Sequence, residues 1–154
     1  MTTDLTLRAY NAAKASKVKQ ALEAVEQGAD VFAVDGIGDS ITIWLARDGF
    51  AEAVLEIAKK HPKVLEQVNR FGDTPAILLA SHVGVDIETL MRLVAINPNI
   101  KMQGGIVATA IRCQKIEMAK TLYQLGFAHP DDMEQRLHYS GLDADGFAFP
   151  SSSV

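Results

Sequence analysis

Apolar and polar positions in this chain follow the period of an α-helix, in short segments separated by turns that contain glycine. The run Ile41 to Ala46 is almost wholly apolar, and Gly49 follows it. In the next run the apolar residues recur three or four positions apart, at Ala51, Val54, Leu55 and Ala58. That spacing is typical of a helix with one buried face. The pattern therefore predicts pairs of short helices joined by tight turns.

The same pattern occurs twice in the middle of the chain. GDSITIWLARDGFAEAVLEIA begins at Gly38, and GDTPAILLASHVGVDIETLMRLV begins 34 residues later at Gly72. A fixed period of this length is the mark of a repeat protein, in which each unit covers the apolar face of its neighbour.

Residues that start and stop helices stand at matching places in the two copies. Ser40 and Thr74 are predicted N-caps, because their hydroxyl oxygens can accept hydrogen bonds from free backbone N–H groups. Pro75 suits the first helical position, where its missing N–H costs nothing. Gly49 and Gly84 are predicted to end the first helix of each pair.

Two weaker copies flank this pair. ATAIRCQKIEMAKTLYQLGF (108–127) has Gln114 where the breaking glycine is expected, and LRAYNAAKASKVKQALEAVEQGADV (7–31) has Ser16 there. The first copy carries Lys14 and Lys17 at outward positions, which suits the exposed end of a stack.

The repeats resemble the ankyrin-repeat family. Thr74-Pro75-Ala76-Ile77-Leu78-Leu79-Ala80 is similar to the family signature, and Gly28-Ala29-Asp30-Val31 is similar to its link. The resemblance implies an all-α fold, an ankyrin-repeat-like solenoid of helix-turn-helix units joined by short β-turn or hairpin links. It divides the chain into a repeat domain over 1–127, with units at about 5–35, 36–69, 70–101 and 102–127. Residues 128–154 are then a C-terminal extension, in which Phe147 and Phe149 could cover the last repeat.

The resemblance also implies that the chain binds another protein through its turn tips and concave face. The residues it assigns to this role lie at the tips and in the pairs before each helix break. They are Gly36, Ile37, Asp39, Arg70, Phe71 and Asp73 at the tips, and Arg47 with Asp48, Ser81 with His82, and Arg112 with Cys113 before the breaks.

Composition narrows the classes of partner. The formal net charge of −4 does not favour nucleic acid, whose binding proteins usually carry a basic surface. No apolar run approaches 18 residues without a charge, so we expect no membrane insertion. The N-terminal MTTDLTLRAY lacks the pattern of a signal peptide, and the single cysteine suits a reducing compartment. We therefore expect a cytoplasmic protein. We also expect it to be a monomer.

The motifs of catalytic and cofactor sites are incomplete. Gly36-Ile37-Gly38 could begin a phosphate loop, but Ile41 stands where the third glycine of the dinucleotide fingerprint belongs. Two glycines between apolar segments more often shape a turn. The four histidines do not have metal-ligand spacing, and we interpret Cys113 as a packing residue. The sequence thus predicts no cofactor, no metal and no enzyme activity.

Two of three large apolar residues considered for a binding patch remain open to two interpretations. Ile37 and Phe71 stand at predicted tips, where they either contact a partner or shield each other. Trp44 is expected to pack in the core, by comparison with the family pattern.

The predicted function is therefore a non-catalytic protein-interaction module. One alternative is a fragment or short form of a bacterial secreted effector, whose activity depends on a host target or on a missing catalytic region. Another is an enzyme built on the repeats themselves, which would need a convergent set of histidine, cysteine and carboxylate groups.

Overall fold

Helices make up most of the computed structural model, which describes residues 3–129. The α-helices are α1 (Asp4–Lys14), α2 (Val18–Glu26), α3 (Ile41–Arg47), α4 (Ala51–Lys60), α5 (Pro75–Ser81), α6 (Ile87–Ile96), α7 (Gly105–Arg112) and α8 (Ile116–Gln124). Two short 3-10 helices cover Pro62–Glu66 and Pro98–Met102. The described residues contain no β-strand, so the prediction of an all-α chain is confirmed for them.

The predicted N-caps act as the sequence suggests. The Ser40 hydroxyl oxygen accepts the Ile43 N–H at 3.2 Å, and the Thr74 hydroxyl oxygen accepts the Ile77 N–H at 3.3 Å. Pro75 occupies the first turn of α5. Each cap satisfies a backbone donor that a helix leaves unpaired at its start, which is why α3 and α5 begin where they do.

Left-handed residues separate the helices of three pairs. Gly49 has φ +82°, which ends α3 as predicted. Ser16 and Gln114 adopt φ +61° and +59° at the equivalent breaks, although an L-residue is strained there. The expectation for Gly84 is wrong, because its φ is not positive and α5 ends at Ser81 with His82 in an extended conformation.

The chain divides into two compact units between Ile100 and Lys101. In the first unit the helices pair in chain order, α1 with α2, α3 with α4 and α5 with α6. The first helices also contact one another in succession, α1 against α3 and α3 against α5, while α4 contacts both α2 and α6. The unit is thus two layers of helices, with the turns between pairs at one edge.

Small residues allow the first helices to approach closely. Ala13, Ala46 and Ala80 hold matching places in α1, α3 and α5, and each is completely buried. The distance between packed helices depends on side-chain size at the contact, so alanine permits a short one. Leu90 and Leu93 of α6 are also completely buried and complete the apolar core of the second layer.

Polar contacts tie together the second layer of the first unit. The buried Asn97 amide nitrogen donates to the Pro62 carbonyl oxygen at 3.0 Å and to a Glu66 carboxylate oxygen at 2.8 Å. On the surface, the Arg92 guanidinium binds both carboxylate oxygens of Glu52, at 2.5 and 3.1 Å. These contacts fix α6 against α4 and the first 3-10 helix.

The second unit contains the helix pair α7 and α8. Ile106, Ala119, Leu122 and Phe127 are buried in it. The Ala128 N–H donates to the Lys101 carbonyl oxygen at 2.7 Å, which holds the segment after α8 beside the start of this unit. Phe147, Phe149 and the rest of the expected extension from residue 130 onward lie outside the described residues.

Candidate partner-binding surface

The turn before α3 is organised by one carboxylate. Asp35 Oδ1 accepts the Ile37 N–H and the Asp39 N–H, each at 3.0 Å. The backbone closes the same turn, since Gly38 N–H donates to the Asp35 carbonyl oxygen at 3.0 Å and Asp35 N–H donates to the Asp39 carbonyl oxygen at 2.9 Å. The segment Gly36-Ile37-Gly38 is therefore a tight turn with Ile37 at its tip. Gly38 has φ +86°, a conformation that favours glycine.

The turn before α5 repeats this arrangement. Asn69 Oδ1 accepts the Phe71 N–H at 2.9 Å and the Asp73 N–H at 3.0 Å. Gly72 N–H donates to the Asn69 carbonyl oxygen, and Asn69 N–H donates to the Asp73 carbonyl oxygen, both at 3.0 Å. The two tips thus share one hydrogen-bonding scheme at the spacing of the sequence repeat.

Both tips present a large apolar side chain to solvent. Ile37 is 47% exposed and Phe71 is 71% exposed. The Arg70 guanidinium carbon lies 4.8 Å from the centre of the Phe71 ring, a distance that suits a cation–π contact. Ile37 and Phe71 are two of the tip residues that the sequence predicts, and both lie on the surface as expected.

Trp44 is not part of the core. It is half-buried in α3, and its indole N–H donates to Asp35 Oδ2 at 2.9 Å. Two cations lie over the ring, with Lys14 Nζ 5.4 Å and the Arg47 guanidinium carbon 4.5 Å from its centre. The sequence expectation fails because Trp44 carries a polar N–H, and a hydrogen-bond acceptor lies next to it at the surface.

Asp39 lies beneath the tip rather than on it. Its side chain is 2% exposed, and Oδ2 accepts from the Arg47 guanidinium at 2.9 Å. The sequence places Asp39 among the exposed tip residues, and that placement is corrected here. The reason is the Arg47 side chain, which reaches back from the end of α3 and pairs with the carboxylate. We refer to Lys14, Asp35, Asp39, Trp44 and Arg47 together as the Trp44 cluster.

The Asp35 carboxylate is strongly biased toward its charged form. Burial alone raises its pKa, but hydrogen bonds from the Asp39 N–H, the Trp44 indole, the Ile37 N–H and Lys14 outweigh burial. The result is a pKa of about 2 in place of 3.8. Lys14 Nζ lies 3.2 Å from Asp35 Oδ2, so this carboxylate joins the turn to both α1 and α3.

Other predicted residues lie at the C-terminal ends of α3 and α5. Asp48 is exposed, and one of its carboxylate oxygens accepts from the Ser16 hydroxyl at 3.3 Å. Ser81 is exposed as well. The His82 ring lies against the Gly49 backbone, where an added Cβ would come within 2.5 Å of the imidazole. These residues belong to the edge opposite the tips.

The remaining predicted residues differ in their surroundings. Asp73 is half-buried beside the second tip. Arg112 and Cys113 end α7 in the second unit, where Arg112 is exposed and Cys113 is a half-buried free thiol.

Sequence reasoning missed Asp35 and gave Trp44 the wrong role. A signal for Asp35 was present, because Asp35 and Asn69 stand at the repeat spacing and both residue types bond their own backbone in turns. No comparable signal exists for the contact of Trp44 with Lys14, since it joins two different helices.

The described residues offer no group of three or more side chains suited to a metal ion. Likewise, none of their helices is long and apolar enough to cross a membrane. What the geometry provides is a polar, charged and aromatic surface next to two apolar tips. No protein-family model matches the chain, and no curated protein matches it either.

Proposed function

We propose that this chain is a non-catalytic protein-binding module built as an ankyrin-like solenoid. The solenoid part of the proposal is supported by the first unit, where α1, α3 and α5 contact one another in chain order. It is also supported by two turns with the same hydrogen bonds at the repeat spacing. Such stacks of repeats present extended surfaces that other proteins bind.

One observation carries the functional part of the proposal. The same turn presents an exposed large apolar side chain twice, at Ile37 and at Phe71. Adjacent parts of the links expose further apolar residues, Val34 and Val68, which are each 53% exposed. Apolar groups gathered at one edge of a soluble protein mark interaction sites more often than apolar residues scattered singly.

The hydrogen-bonded order of the tips supports a binding role for their exposed apolar side chains. Each tip is closed by two backbone hydrogen bonds and by two further bonds to a side-chain oxygen. A surface that is already ordered loses little conformational entropy when a partner arrives. The tips therefore suit recognition without chemistry.

Affinity capture with tip variants tests this proposal. We expect Ile37→Asp and Phe71→Asp to reduce recovery of the partners that the wild-type chain captures, since each puts a charge where an apolar contact forms. Val83→Asp is the matched control, because Val83 is 92% exposed but follows the other end of α5. Circular dichroism checks that each variant is folded. If Ile37→Asp and Phe71→Asp recover the partners as well as the wild type and Val83→Asp do, the tips do not bind the partner.

A further inference from the structure

The part of the Trp44 cluster that reaches solvent is positively charged. The Lys14 and Arg47 side chains are 42% and 33% exposed, whereas their acidic partners Asp35 and Asp39 are 8% and 2% exposed. Each ion pair is therefore layered, with the carboxylate below and the cation above. An approaching molecule meets the ammonium and guanidinium groups first.

These cations keep hydrogen-bonding capacity for a partner. Arg47 has five N–H donors, and the one directed at Asp39 is its single hydrogen bond within residues 3–129. Lys14 has three donors, and its ion pair in the same part of the chain is with Asp35. Both groups also lie over the Trp44 ring, which fixes them beside an aromatic face.

Apolar groups lie next to this charged patch. Ile37 sits on the turn that Asp35 ties to Trp44, so the tip and the indole are held by one carboxylate. At the next tip, Arg70 covers the Phe71 ring and has no ion pair among the described residues. Both turns thus combine cationic donor groups with an exposed apolar side chain.

Two further acidic residues of the first unit, Asp48 and Asp73, form no ion pair with the cations. Asp48 is exposed, but it caps the end of α3 and accepts from Ser16. Asp73 is half-buried at the second tip. Neither carboxylate lies within ion-pair distance of Lys14 or Arg47.

We propose that the partner segment bound here is a short acidic stretch of a protein that also carries large apolar side chains. Its carboxylate binds Lys14 and Arg47, and its apolar side chains pack on Trp44 and Ile37. This inference rests on the proposed function and adds the chemistry of the partner. A nucleic acid is the less favoured anion, because the whole chain has a formal net charge of −4 and the patch is flanked by apolar tips.

Trp44 is the single tryptophan of the chain, so its fluorescence reports on this surface directly. Caesium is intrinsically a weaker quencher of indole than iodide, so each quenching constant is first divided by that of free N-acetyltryptophanamide. After this normalisation, we expect iodide to quench Trp44 at least about twofold more efficiently than caesium, because the exposed charges attract anions. Acrylamide, which is neutral, corrects for accessibility. The double variant Lys14→Gln/Arg47→Gln should remove the difference. Quenching that is equal for both ions, or stronger with caesium, would overturn the proposal.

Selection from a library of random dodecapeptides tests the partner chemistry. We expect Asp or Glu beside Leu, Ile or Phe to be enriched among the peptides that bind. The selected peptides should lose affinity for Lys14→Gln/Arg47→Gln by roughly three- to tenfold, and more salt should weaken binding to the wild type. Arg8→Gln is the matched control, because Arg8 is an exposed cation elsewhere on α1. Arg47→Lys keeps the charge and should retain most of the affinity.

The outcomes separate this inference from the proposed function. Selection of basic or neutral peptides, or of acidic peptides that bind the double variant as well as the wild type, would overturn the acidic segment alone. Competition by a single-stranded oligonucleotide with the same dependence on Lys14 and Arg47 would also overturn it. Loss of partner capture in Phe71→Asp, seen alongside either result, would leave the protein-binding function standing.

Discussion

Replacing Asp35 by asparagine separates the two tasks of this carboxylate. The variant keeps an oxygen that can accept the Ile37 and Asp39 N–H groups, as Asn69 does at the second tip. It loses the negative charge that binds Lys14 and the Trp44 indole. We therefore expect the turn to persist while the free energy of unfolding falls.

The size of the loss follows from the depressed pKa. The pKa of Asp35 is lowered from 3.8 to about 2, which means that folding favours the charged form of this carboxyl group. At ~1.4 kcal/mol per pKa unit, and after a discount for screening at the protein surface, the charge contributes about 1–2 kcal/mol near neutral pH. Because the folded pKa is the lower one, this contribution is present above the unfolded pKa of 3.8 and is lost as the pH falls toward 2.

Urea unfolding followed by far-ultraviolet circular dichroism measures this difference, since Trp44 fluorescence would itself respond to the substitution. Wild type and Asp35→Asn should differ by about 1–2 kcal/mol at neutral pH, and the difference should shrink steadily below about pH 4. Asp30→Asn is the control, because Asp30 is exposed and its Oδ1 also accepts a backbone N–H, from Phe32. Equal stability of wild type and Asp35→Asn at neutral pH, or a difference independent of pH, would refute the reasoning.

Three further substitutions test the packing and backbone of the fold by thermal or urea unfolding. Gly49→Ala should cost about 1–3 kcal/mol, because φ is +82° and the new Cβ would meet the His82 ring; adding His82→Ala should recover part of the loss. Gln114→Gly should raise stability by about 0.5–1 kcal/mol by relieving a left-handed residue, and no gain would argue against strain there. Asn97→Ala should cost about 2–3 kcal/mol, because its buried amide bonds two acceptors, whereas the exposed Asn99→Ala should cost much less.

The helices and their starts could be read from the sequence because local interactions decide them. Ser40 and Thr74 cap the helices that follow them directly in the chain. Gln114 and Ser16 break their helix pairs at the place of a glycine, and the repeat spacing alone located them. Periodicity was sufficient for these features because each depends on neighbours a few positions away.

The Trp44 cluster could not be read from the sequence, because its contacts join distant positions. Lys14 reaches Asp35, in the turn before α3, from the end of α1, and Arg47 reaches back over the length of α3 to pair with the buried Asp39. Whether an aspartate at a tip faces solvent or a guanidinium depends on side-chain directions that spacing does not specify. Gly84 failed for a related reason, because α5 ends in an extended His82 packed on Gly49 and needs no left-handed residue there.

At each tip, the two terminal atoms of one side chain have different roles. In Asp35 and Asn69 alike, Oδ1 shapes the backbone, which leaves the other atom uninvolved in the turn. That other atom is a charged oxygen in Asp35, where it binds Trp44 and Lys14, and an amide nitrogen in Asn69. Replacing this oxygen by an amide nitrogen can therefore change which groups the side chain binds, while the backbone conformation of the turn stays the same. At these two turns, one residue therefore sets both the backbone conformation and the neighbouring side-chain contacts, through different atoms.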